Sequence, residues 1–262
     1  MKNVLMYLLL IVTFSLYAQT NYTCNKLDSL SLKKADKFIG KDNLQNYYYT
    51  QNNQLFKQSK NKTYNYKNLA LGEIHDIAIE NPLQIVLLYK NFNTVVLLDN
   101  QLNEVQKIDF NTIDPFLTIT SIGFGGQNKL WFFDSNSQKV GLYDLISSSV
   151  KFLSTPFSEI ISKKMATYNH FYFENKSNEY LSISIFGKIE KIGDIPPNEG
   201  FCFLNESKII FTNNSLFFVY DFNLKTISKL DISKKSFQKI FFKDGILSIF
   251  TQNKIINYQI NF

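Results

Sequence analysis

Short apolar runs broken by polar turns recur along the whole chain, and six of them close on an aromatic residue: Tyr49, Tyr89, Phe133, Phe173, Phe211 and Phe250. The intervals are 40, 44, 40, 38 and 39 residues, and a period of that size marks a repeat architecture. After each landmark the chain passes a turn rich in Asn, Ser or Gln into a second apolar run. Tyr49 leads through Thr50-Gln51-Asn52-Asn53 to Leu55-Phe56, and Phe211 through Thr212-Asn213-Asn214 to Leu216-Phe217-Phe218. These turn residues tolerate left-handed backbone and bond their own main chain, so each unit predicts a hairpin.

A third, more polar strand follows in five of the units: Thr63 to Tyr66, Val105 to Phe110, Val150 to Leu153, Lys188 to Ile192 and Thr226 to Ile232. Its looser alternation is that of an outer strand with one wet face. A fourth segment precedes each landmark strand, as in Asp76-Ile77-Ala78-Ile79, Thr120-Ser121-Ile122-Gly123 and Gly200-Phe201-Cys202-Phe203. Four strands in about forty residues is the make-up of a propeller blade. No comparable window sustains a 3.6-residue apolar period, so helix is expected to be scarce.

The last unit sharpens the prediction. After Phe250 one strand remains, Lys254 to Asn261, which leaves the sixth blade without an outer strand. Lys26-Leu27-Asp28-Ser29-Leu30-Ser31-Leu32 matches the outer strands and runs into Asp36 to Ile39, an inner strand for the first blade. The expectation is an all-β, six-bladed propeller of four-stranded antiparallel blades, closed by this N-terminal strand, which also removes a bare sheet edge. The competing all-β arrangement is a sandwich or jelly roll.

Leu130-Trp131-Phe132-Phe133-Asp134-Ser135-Asn136-Ser137-Gln138-Lys139-Val140-Gly141-Leu142-Tyr143-Asp144 resembles the NHL-type repeat of six-bladed, TolB-like propellers: strand, Asp, Asn-containing turn, and strand ending in aromatic-Asp. Tyr220-Asp221 repeats that ending. The resemblance covers the chain as architecture and one blade as motif. It implies a fold shared by binding scaffolds and enzymes, and so does not select a function.

Composition narrows the field. At 262 residues and 45% hydrophobic content the chain can bury a sizeable core as one domain, residues 19–262. Residues 1–18 read as a signal peptide, with Lys2 ahead of the apolar stretch Val4 to Leu16 and Ala18 before Gln19. No later segment approaches the length of a membrane span, so the mature chain is expected to be periplasmic or extracellular, without a transmembrane segment. Asn21-Tyr22-Thr23 ahead of Cys24 lacks the pattern of a lipoprotein anchor. All 28 basic residues are lysine. The net charge of +6 is spread along the chain, whereas nucleic-acid binding calls for a basic stripe and favours arginine. The lysines read as solvated faces of strands and turns.

Candidate chemistry is sparse. His75 and His170 fall at different places in their blades, and a metal centre needs convergent ligands. A calcium-dependent lactonase, which the propeller resemblance brings as an alternative, would draw on Glu73, Asp76, Asn198 or Glu199. Gly123-Phe124-Gly125-Gly126 reads as a turn using positive φ. Cys24 and Cys202 are placed too far apart in the blade frame for a disulfide. The landmark aromatics read as packing between blades, leaving Phe92, Tyr168 and Phe157 as candidate binding aromatics, with a glycan-binding propeller as a further alternative. No residue is assigned a catalytic, cofactor or metal role. The favoured reading is an exported, non-catalytic scaffold with a protein partner in the cell envelope.

Overall fold

The structure, a computed structural model, describes residues 22–32, 35–157, 161–233 and 236–261. The predicted signal peptide lies outside them. Six four-stranded antiparallel sheets form a ring. Blade one is β2 (Lys37–Lys41), β3 (Tyr47–Gln51), β4 (Gln54–Gln58) and β5 (Thr63–Tyr66). Blade two is β6 (Asp76–Ala78), β7 (Ile85–Tyr89), β8 (Thr94–Leu98) and β9 (Glu104–Asp109). Blade three is β10 (Ile119–Gly125), β11 (Lys129–Asp134), β12 (Lys139–Asp144) and β13 (Ser149–Phe152). Blade four is β14 (Lys163–Ala166), β15 (His170–Glu174), β16 (Glu179–Ser184) and β17 (Ile189–Asp194). Blade five is β18 (Gly200–Asn205), β19 (Lys208–Asn213), β20 (Leu216–Asp221) and β21 (Thr226–Ser233). Blade six is β22 (Lys239–Lys243), β23 (Ile246–Phe250) and β24 (Lys254–Asn261), completed by β1 (Thr23–Ser31).

The seam forms where the spare strand predicted it. β1 runs antiparallel to β24 from Thr23 opposite Asn261 to Ser31 opposite Lys254, with one irregularity between Lys26 and Asp28. Leu30 and Leu32 pack with Phe38, Phe250 and Ile255 at the junction of blades six and one. Asn257 of β24 donates to both Asp28 of β1 and the Tyr47 hydroxyl of blade one, so one amide joins the closing strand to the next blade.

Every landmark aromatic lies on the second strand of its blade. Middle strands are covered by neighbouring blades on both faces, which is why β7 and β8 are buried at every position and apolar at all but Thr94, while the outer strand β13 is mostly exposed. Five landmarks are buried. Tyr49 is only half-buried and stacks on Phe56, ring centroids 5.2 Å apart.

The motif residues are turn hardware. Asp134 is buried and accepts from the backbone N–H groups of Thr118, Asn136 and Ser137, tying the turn after β11 to the strand entering the blade. Each aromatic-Asp ending repeats a second device. Asp144 accepts from Ile146 and Ser147 N–H and pairs with Lys129 directly across the ladder. Asp221 does the same with Asn223, Leu224 and Lys208. A carboxylate that bonds the next two or three backbone amides nucleates a tight turn, and the facing lysine balances its charge.

Two expectations are corrected. Gly123 and Gly125 lie within β10, and the positive φ angles of the following turn belong to Gln127 (55°) and Asn128 (59°). Glycine is needed there for close approach instead: a Cβ on Gly123 would stand 2.5 Å from that of Ala166, and one on Gly126 would enter the Tyr168 ring. The lysines are not all solvated faces. Lys57 is buried, its Nζ donating to the Asn100 carbonyl at 2.8 Å and lying over the Tyr48 ring, because a long apolar stem can cross a blade junction and deliver its charge to a carbonyl beyond it. Helix is scarce among the described residues, as predicted: a helical turn at Phe110–Ile113 and a 3-10 turn at Lys90–Phe92. Among the described residues no helix is long and apolar enough to cross a membrane.

Candidate functional site in the axial channel

The inner strands β2, β6, β10, β14, β18 and β22 surround a channel of about 1340 Å³ along the ring axis. An inner strand pairs on one side only, so its other edge carries backbone N–H and C=O groups that need partners. Side chains of adjoining blades supply them. Asp76, first residue of β6, accepts from Ile122 N–H of blade three at 3.0 Å. Lys163, first residue of β14, donates to the Phe201 carbonyl of blade five at 3.1 Å, its ammonium 3.9 Å from the Phe201 ring centre. Lys239, first residue of β22, donates to the Ile39 carbonyl of blade one at 2.9 Å. The same strand position thus latches blade two to three, four to five, and six to one.

Lys164 adds a longer tie, forming an ion pair with Asp76 across the channel. Burial acts to raise the Asp76 carboxyl, but Lys164 and the Ile122 and Ile77 N–H groups outweigh it and hold Asp76 below the usual carboxylate range. Glu80, just beyond β6 and open to the channel, moves the other way: the surrounding wall pushes it up, and Lys164 only partly offsets this. Burial lowers Lys163 and, joined by repulsion from Lys37 and Lys163, brings Lys239 down to about 8. Cys202, on the same wall, is pushed up to about 12 by burial. It is a poor nucleophile at neutral pH, since the thiolate is the reactive form.

The sequence candidates disperse over this frame. His75 lies at one mouth of the channel, whereas His170 opens β15, whose start faces the opposite rim, with its ring 5.6 Å from that of Tyr172. Of the lactonase set, Glu73, Asp76 and Glu199 line the channel. Asp76 is held by Lys164, Glu199 accepts from Ser215 N–H at 3.3 Å, and Asn198 bonds the Pro196 carbonyl away from the channel wall. Among the described residues no three His, Cys, Asp or Glu side chains are grouped to hold a metal ion, so that reading gains no support here. Cys24 and Cys202 are both free thiols.

Phe157 is corrected from a binding candidate to packing: its ring stacks between Phe133 and Phe173, at 5.4 and 5.3 Å. Tyr168 is exposed but braces blade three, its hydroxyl accepting from Gln127 N–H at 3.2 Å. Phe92 is exposed in the turn between β7 and β8, with Phe116, which the sequence reading missed, exposed on the same rim in the connection from β9 to β10. The other exposed aromatics among the described residues, Phe152, Tyr168 and Phe186, lie on blades three and four, so the set does not make the blade-by-blade platform that a glycan-binding propeller would use. Lysine opens several inner strands in the sequence, at the first position of β2, β14 and β22, and reading lysines as solvated faces overlooked their contacts with neighbouring blades.

No protein-family model and no curated protein matches the sequence. Solved structures do. The β-propeller domain of Cps50 (Swd1) from Myceliophteria thermophila aligns over 91% of this chain and all of its own, at 7% identity and a TM-score of 0.60. A catalytically inactive virginiamycin B lyase from Staphylococcus aureus, solved with quinupristin, aligns over 91% of this chain and 99% of its own, at 13% identity and a TM-score of 0.56. A Bacteroides thetaiotaomicron protein of unknown function aligns over 92% and 77%, at 12% identity and a TM-score of 0.58. At such identities the likeness speaks to fold, and with the closed ring of six sheets it establishes this chain as a six-bladed β-propeller.

Proposed function

We propose that the protein is an exported, non-catalytic propeller that acts as an interaction scaffold in the cell envelope, docking a protein partner on the Phe92–Phe116 corner of one rim. The observation that carries this reading is a pair of exposed aromatics whose loops are held by three asparagine amides, one of them buried. Phe92 is 49% and Phe116 78% exposed. Between them the buried Asn93, in the left-handed conformation at φ 48°, donates to the Leu117 carbonyl at 2.9 Å and accepts from Ile119 N–H at 2.9 Å. Asn111 donates to the Phe92 carbonyl and Asn136 to the Phe116 carbonyl. Loops fixed before binding lose little entropy on docking, and large amphipathic rings make strong interface anchors. Export rests on the leader-like residues 1–18. The non-catalytic reading rests on Asp76, Lys163, Lys164 and Lys239, charged groups of the channel wall that tie one blade to another.

The test uses the protein as bait in crosslinked envelopes of the source organism, beside a Phe92→Ser/Phe116→Ser double variant with an unchanged melting temperature. A protein recovered by the parent is expected to fall about tenfold or more with the variant, the loss that follows from removing hot-spot anchors. Equal recovery by both baits, or no specific protein with the parent, would overturn the reading.

A further inference from the structure

The mouth of the channel on the Phe92 rim carries more positive charge than latching requires. Lys37, Lys163 and Lys239 are the first residues of their inner strands and line this mouth together. None of the three makes an ion pair within 4.0 Å among the described residues, where the channel's only paired lysine is Lys164. An ammonium group has three donors. Lys163 and Lys239 each give one to a neighbouring blade, which leaves two apiece, and Lys37 is exposed with all three.

Acids at this mouth answer that charge only in part: Glu174, opposite Lys163 across the β14–β15 ladder, attracts Lys163 while accepting from the Ser162 hydroxyl, and Asp76 attracts Lys239. Asp36 accepts from Asn52 N–H and Glu199 from Ser215 N–H, which turns both toward the loops, and Asp76 is taken by Lys164. Glu73 lies on the exposed approach to β6. Beyond the lysines the wall carries the apolar side chains Ile39, Ile77, Met165, Phe201 and Phe241, interspersed with polar ones such as Lys41 and Ser121. The cavity is large enough for a small organic molecule.

We propose that this mouth is a binding site for a small amphiphilic anion, a carboxylate or phosphate head held by Lys37, Lys163 and Lys239 with an apolar body against Ile39, Ile77 and Phe241. The like charges of Lys37 and Lys163 already bear on Lys239, and a bound anion relieves that repulsion. Charge-assisted hydrogen bonds in a partly desolvated site are the strong ones. The site is separate from the rim reading and stands if the protein partner is never found.

Isothermal titration of the folded protein with phenyl phosphate, inorganic phosphate and phenol tests the proposal at low salt. Phenyl phosphate is expected to bind one to one, about tenfold or more tighter than inorganic phosphate, with phenol weaker still, since each lost charge-assisted contact or buried ring is worth roughly a decade in affinity. Lys37→Met, which breaks no latch, is expected to weaken phenyl phosphate about tenfold with no change in melting temperature. Lys107→Met on the outer face of β9 is expected to change nothing. The proposal is overturned if phenyl phosphate binds no tighter than phenol or inorganic phosphate, or if Lys37→Met matches either the parent or Lys107→Met.

Discussion

Deletion of residues 22–32 is expected to destroy the cooperative fold rather than trim it. That segment is the whole of β1, and its loss removes the ladder to β24, the Asp28–Asn257 bond and the buried Leu32 side chain at the junction with blade one. Ladder hydrogen bonds contribute about 1 kcal/mol each, so several of them are a large share of the roughly 5–15 kcal/mol that holds a domain together. Asn257, buried on β24, loses its Asp28 partner. The bare β24 edge also becomes a template for pairing with other chains. The expected result is a broad, low-temperature transition with concentration-dependent aggregation, read by circular dichroism and light scattering. A sharp transition within a few degrees of the parent would show that β1 is an accessory.

Trp131→Ala is the point substitution with the largest expected effect. Trp131 is fully buried on β11, packs on Phe171 of blade four at 5.8 Å, and donates from Nε1 to the Thr167 carbonyl at 3.1 Å. It therefore spans the junction of blades three and four. Truncation of a buried tryptophan costs about 3–5 kcal/mol, and the Thr167 carbonyl loses its donor besides. Chemical denaturation is expected to show a lower midpoint with the slope unchanged, since the same surface is exposed on unfolding. Trp131→Phe keeps most of the packing and loses the hydrogen bond, and is expected to recover more than half of the loss.

The ring was legible because its determinants repeat. Tyr89, Phe133, Phe173, Phe211 and Phe250 all answer to one need, a middle strand covered on both faces, so their spacing reports the architecture. The spare strand around Leu30 was legible because the sixth unit was one strand short. The channel was less so. Asp76 with Ile122, Lys163 with Phe201 and Lys239 with Ile39 are separated by 46, 38 and 200 residues, and each latch exists only because the ring brings one blade's side chain to the next blade's free backbone edge. Local reading assigns such lysines to water. Gly123 and Gly126 misled for a related reason: the residue types suited a left-handed turn, but the constraint was the approach of Ala166 and Tyr168 from another blade. Phe116 was missed because exposure is not a property of local pattern.

Closure of the ring by β1 is what joins the two ends of the propeller, and Cys24 offers a direct probe of it. Cys24 lies opposite Ile260 across the β1–β24 ladder, so Ile260→Cys places two thiols at facing positions. Mild oxidation of that variant, followed by proteolysis and mass spectrometry, is predicted to yield a 24–260 disulfide in monomeric protein, with Cys202 left as a free thiol. A 24–202 disulfide, or no intramolecular crosslink at residue 24 in folded monomer, would contradict the closed six-bladed ring.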